Sequence, residues 1–87
     1  MFETIDSREK LFEVIKQLNL LIEQGELIQI FNENDFFCTK TSLSDFLKTR
    51  EIPDLVRCYF VKKETAEKFL LSVETYHGIG GELKKIE

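Results

Sequence analysis

The side chains of this 87-residue sequence best suited to chemistry are a single histidine, His77, and two cysteines, Cys38 and Cys58. One imidazole excludes every mechanism that needs two, including paired-histidine zinc sites and imidazole relays. It could act as a general base or as the partner of a cysteine nucleophile. In what reads as the last turn of a helix, however, a favourable interaction with the C-terminal end of the helix dipole accounts for it. The cysteines stand beside Phe36, Phe37, Tyr59 and Phe60, apolar surroundings that raise a thiol pKa and suppress reactivity. They lack the CxxC spacing and are too few for a secreted disulfide framework, so reduced, buried thiols are expected.

Three other groupings resemble ligand sites and fail on context. Gly78, Ile79, Gly80 and Gly81 look like a phosphate-binding glycine loop, but such loops follow a strand and open a helix, and this one has no Lys or Ser/Thr of a Walker motif. Asn32, Glu33, Asn34 and Asp35 offer oxygen ligands over four residues, whereas a calcium loop needs about a dozen with a central glycine and a distal glutamate. The basic pairs Lys62–Lys63 and Lys84–Lys85 each stand next to acids, Glu64 on one side and Glu82 and Glu87 on the other, so neither builds an uninterrupted positive field. No catalytic residue, cofactor or metal is expected.

The elements that would position these groups follow from apolar spacing. Between Ser7 and Gln24, Leu11, Val14, Ile15, Leu18, Leu21 and Ile22 recur at three- and four-residue steps, an amphipathic helix. Asp6 with Glu9 resembles a capping box, and Gly25 is placed for a left-handed ending. Glu26 to Phe31 and Phe36 to Thr39 read as two strands of a hairpin around the polar turn 32–35. Thr41 or Ser42 caps a short helix through about Arg50 with Leu43, Phe46 and Leu47 on one stripe. Pro53 and Asp54 make a turn, after which Leu55 to Val61 is the strongest strand, with Val56, Cys58 and Phe60 on one face and Leu55, Arg57, Tyr59 and Val61 on the other. Ala66, Phe69, Leu70, Val73 and Tyr76 suggest a last helix from about Glu64 to His77, closed by Gly78. Residues 80–87 hold only Leu83 and Ile86 as anchors and are expected as a flexible tail or a short edge strand.

The fold class is therefore α+β, a single domain over residues 1–87. The expected order is helix-strand-strand-helix-strand-helix, with a three- or four-stranded sheet packed by helices. Eight phenylalanines and no tryptophan make Phe the main large core residue. Alternation along three short strands forces some of Phe31, Phe36, Phe37, Tyr59 and Phe60 onto the face opposite the first helix. Phe31, Phe36, Phe37 and Tyr59 are thus candidate partner-binding residues, since exposed aromatics anchor interfaces.

Twelve basic against sixteen acidic residues leave a net charge of −4, which repels phosphate backbones and anionic membranes. No apolar run approaches the roughly 20 residues of a membrane span, and the acidic N-terminus is unlike a secretory signal. The expectation is a small acidic cytoplasmic protein without catalytic activity that binds another protein, in the manner of an inhibitor, immunity protein, antitoxin or adaptor. A basic partner would suit its charge, and a homodimer fits the aromatic surplus; nucleic acid and membrane partners are disfavoured. The alternative is a small enzyme or ligand-binding subunit whose site forms at an oligomer interface around His77, Tyr76 and a cysteine.

Overall fold

The helical spacing between Ser7 and Gln24 is realised in full. The computed structural model describes residues 2–86, and in it strand β1 (Glu3–Ile5) leads into helix α1 (Arg8–Glu23). Ser7, one residue after the expected Asp6, is the cap: its hydroxyl accepts the Lys10 amide at 3.0 Å. At the other end Gly25 has φ 78°. Its amide donates to the Ile22 carbonyl while Glu26 donates to that of Leu21, the paired bonds of a Schellman ending. Leu11, Phe12, Val14, Ile15 and Leu18 form the buried stripe. Phe12, absent from the expected stripe, is covered by two guanidinium groups, Arg50 at 3.9 Å and Arg8 at 4.9 Å from its ring centre.

Strand β2 (Leu27–Ile30), helix α2 (Leu43–Thr49) and strand β3 (Leu55–Lys62) follow, and the chain closes with β4 (Lys68–Glu74) and β5 (Gly80–Ile86). Ser42 caps α2 by accepting the Asp45 amide. The five strands form one antiparallel sheet in the order β1-β5-β4-β3-β2. α1 spans from one edge strand to the other, and α2 joins it in covering one face. Between helices and sheet lie Ile5, Leu27, Leu43, Phe46, Val56, Cys58, Phe60, Phe69, Leu71, Val73 and Leu83, all buried in one cluster with Leu11, Val14, Ile15 and Leu18 of α1. Each such aliphatic or aromatic side chain contributes roughly 1.5–3 kcal/mol by leaving water.

The expected order and strand count are therefore corrected in four places, the first being the N-terminal strand β1, which the expected order lacks and which pairs with β5 at the sheet edge. The span expected as a last helix over Glu64–His77 is strand β4, the middle strand of the sheet. Its Phe69, Leu71 and Val73 are buried against Phe60, Cys58 and Val56 of β3 in register. A short apolar run fits periods of both 2 and 3.6, and β-pairing on both sides decides between them. The tail expected as flexible or as an edge strand is β5, an inner strand paired with both β4 and β1. The hairpin's second strand, Phe36–Thr39, is absent: β2 instead pairs with β3, Ile28 opposite Val61, and residues 31–42 form a long irregular loop. Among the described residues there are five strands and two helices, and no helix covers the second face of the sheet.

Candidate interaction surface

Alternation places a second set of side chains on the helix-free face. Register aligns Ile28, Val61, Lys68 and Ile86 in one cross-strand row, Ile30, Tyr59, Leu70 and Lys84 in the next, and Arg57, Ser72, Glu82 and Thr4 in a third. The loop 31–41 folds over the second and third rows. Under it Cys38, Tyr59 and Leu70 make a small buried cluster flanked by Ile30 and Ile86.

The loop is built by short-range polar contacts. Asn32 Oδ1 accepts the Asn34 amide at 2.9 Å, Asp35 Oδ1 accepts that of Phe37 at 2.9 Å, and the Cys38 amide reaches the Asp35 carbonyl at 3.0 Å. These are side-chain turns of the sort Asn and Asp favour. Thr39 then docks on β3 with two bonds: its amide donates to the Arg57 carbonyl and its hydroxyl accepts the Arg57 amide, both at 2.8 Å.

A second clamp is ionic. Asp35 Oδ2 accepts Arg57 Nε at 2.7 Å and the Tyr59 hydroxyl, while Arg57 Nη1 donates to Ser72 Oγ at 3.1 Å and Nη2 to the Tyr59 oxygen at 3.2 Å. The Tyr59 hydroxyl and then the Arg57 guanidinium draw the Asp35 carboxyl down to about 2, since both bonds favour its charged form. Burial, followed by the bond to Asp35, raises the Tyr59 phenol.

This clamp leaves three rings in water. Phe36 is 92% exposed, Phe37 62% and Phe31 51%; Phe36 and Phe37 meet edge to face with ring centres 5.3 Å apart, and Lys40 Nζ lies 5.6 Å from the Phe31 ring centre. The fourth expected contact residue, Tyr59, is only 8% exposed and supports the loop from below. Asp35, Arg57 and Ser72, which hold the aromatic tip, escape sequence reading because their partners are distant in the chain. The one signal was a charged Arg57 alternating with Tyr59 on the more amphipathic face of a strongly apolar strand.

The groups considered for catalysis are scattered. Burial pushes the Cys58 thiol up to about 12. His77 sits in the exposed β4–β5 connection, its ring against Tyr76 and Nδ1 3.5 Å from Glu74, and no hydrogen bond or ion pair joins it to either cysteine. It is not in a helical turn, and Gly78 lies between two strands rather than after a helix. Lys84 pairs with Glu82 and Lys85 with Glu67. Among the described residues no three His, Cys, Asp or Glu side chains come together as a metal site, and no helix is long and apolar enough to cross a membrane.

No family model, curated protein or solved structure matches the chain. The loop and its exposed rings are thus the features on which a functional reading must stand.

Proposed function

We propose that the chain is a non-catalytic, cytoplasmic protein-binding domain of the inhibitor, immunity, antitoxin or adaptor type, with the tip of the loop 31–41 as its contact. The observation that carries this reading is the pair Phe36 and Phe37, exposed side by side on a loop that Asp35, Arg57, Tyr59 and Thr39 fix to the sheet. Large exposed apolar rings are unfavourable in water unless something covers them. A loop already held in place loses little conformational freedom on binding, so more of the contact energy appears as affinity. The net charge of −4 suits a basic partner, whose encounter such a field accelerates. Two unpaired thiols fit a reducing compartment.

The test is a pull-down from lysate of the source organism with the wild-type chain and a Phe36→Ser, Phe37→Ser variant as parallel baits. A stoichiometric protein retained by the wild type and lost from an equally stable variant supports the reading. Equal retention by both, or no stoichiometric protein on either, overturns it.

A further inference from the structure

The loop that carries Phe36 and Phe37 is bonded mostly to itself. Asn32 accepts the Asn34 amide on its side chain and the Asp35 amide on its carbonyl, and Asp35 accepts those of Phe37 and Cys38 in the same two ways. The Asn32 amide then closes the neck on Cys38 Sγ at 3.4 Å. A short surface segment whose ends meet and which packs on itself is an Ω-loop.

Its attachment to the sheet is narrow. Among the described residues, the hydrogen bonds from 32–38 to the strands all end on one atom, Asp35 Oδ2, which accepts Arg57 Nε and the Tyr59 hydroxyl. The other carboxyl oxygen, Oδ1, is used inside the loop on the Phe37 amide. On the sheet side Arg57 is held by Ser72 and by the Tyr59 oxygen as well, so the socket persists when the loop is away. The side chains of Asp35 and Arg57, 13% and 29% exposed, both reach water, and parting them strands no charge in the interior.

What the loop covers is separate from the main core. Cys38, Tyr59 and Leu70 form their own cluster, with Ile30 and Ile86 packed against it, whereas Cys58 and Val14 belong to the large cluster under the helices. Thr39, with its two bonds to Arg57, anchors one end of the loop independently of Asp35. At the other end Ile30 is paired with Tyr59 in the sheet. Lifting 32–38 between these points gives up the two bonds at Asp35 Oδ2 and leaves ladder and core intact. Those are the conditions for local opening at a cost below that of global unfolding.

We propose that residues 32–38 are a strap that opens as a unit between Phe31 and Thr39, with the Asp35 carboxylate as its latch, and that the open state uncovers Cys38, Tyr59 and Leu70 beside Ile30 and Ile86 of the helix-free face. Closed, the strap presents Phe36 and Phe37 and hides those side chains. Open, it displaces the two rings and exposes the apolar surface beneath. The device stands whether or not a partner binds at Phe36 and Phe37.

The two thiols test this in the full chain, since Cys38 reports on the strap and Cys58 on the core. Iodoacetamide labelling at neutral pH is followed by mass spectrometry of the peptides, each rate divided by that of the unfolded chain. Cys38 should react far faster than Cys58 and with a much weaker dependence on low urea, because local opening exposes little surface. Asp35→Asn retains an oxygen for the Phe37 amide but removes the charge. It should speed Cys38 by about tenfold to a hundredfold, the effect of losing a charged hydrogen bond. Val14→Ala, which loosens the core shared by the closed and open states, should speed Cys58 and leave Cys38 unchanged. Equal rates with a common urea dependence, a Cys38 rate raised by Val14→Ala as much as that of Cys58, or a Cys38 rate indifferent to Asp35→Asn overturns the proposal.

Discussion

Asp35 Oδ2 lies 2.7 Å from Arg57 Nε, a contact across 22 residues of sequence that ties the aromatic loop to the sheet. Its pH dependence has a definite sign. The carboxyl is held at about 2 in the folded chain against an ordinary value of 3.8, through the Tyr59 hydroxyl first and Arg57 second. The contribution to stability is thus complete above the ordinary value and is lost as pH falls through the folded one. Asp35→Asn should be less stable than wild type near neutral pH, and the gap should narrow as pH is lowered from about 5 to about 2. Urea denaturation at a series of pH values reads this directly. A gap that stays constant with pH would show that the ionised carboxylate adds nothing.

Neither thiol is placed for reaction. Cys58 is fully buried between sheet and α1, and burial raises its pKa to about 12, leaving almost no thiolate at neutral pH. Cys38 sits at the loop, 8% exposed, with its sulfur accepting the Asn32 amide at 3.4 Å. A thiol reagent at neutral pH should label Cys38 slowly in the native chain and Cys58 only on unfolding. Rapid native labelling of Cys58 would contradict the burial described and reopen catalytic readings.

Local signals located α1, α2, β2 and β3, because each is marked by residues within a few positions of its ends: Asp6, one residue short of the true cap, and Gly25, Thr41 or Ser42, and Pro53. The signals failed where distant partners decide. Phe69, Leu70, Val73 and Tyr76 fit a helical stripe as well as Phe69, Leu71 and Val73 fit a strand face, and pairing with β3 and β5 selects the latter. Leu83 and Ile86 alone left residues 80–87 open between a flexible tail and a short edge strand, yet Leu83 lies in the core opposite Leu71 and residues 80–86 form an inner strand. Of the four expected contact residues, Phe31, Phe36 and Phe37 are exposed through the very loss of the hairpin strand meant to carry two of them. Asp35 was read as a turn residue, and its ion pair could not be seen without the β2–β3 register.

Gly81 shows how closely β4 and β5 approach. It lies opposite Val73, and a Cβ added there would run into the Ser72 carbonyl oxygen and lie 2.6 Å from Val73 Cα. These are backbone atoms of the central strand and cannot move aside without shifting the ladder. Gly81→Ala should therefore destabilise by about 1–3 kcal/mol, the usual range for overpacking, with the denaturation midpoint as readout. A neutral effect would mean that the two strands separate more easily than this packing implies.

Ala66 gives the opposite sign. In the exposed β3–β4 turn it adopts φ 62°, while its amide donates to the Lys62 carbonyl at 2.8 Å. A residue with a Cβ in this left-handed conformation is disfavoured by roughly 1 kcal/mol relative to glycine. Glycine also loses more freedom on folding, which offsets part of that gain. Since Ala66 contributes no side chain to the core, Ala66→Gly should raise stability by up to about 1 kcal/mol. Thermal melts of the two chains at one concentration, to keep any self-association equal, decide it. A lower melting temperature for the variant would show that flexibility gained by the unfolded turn outweighs the relief of strain.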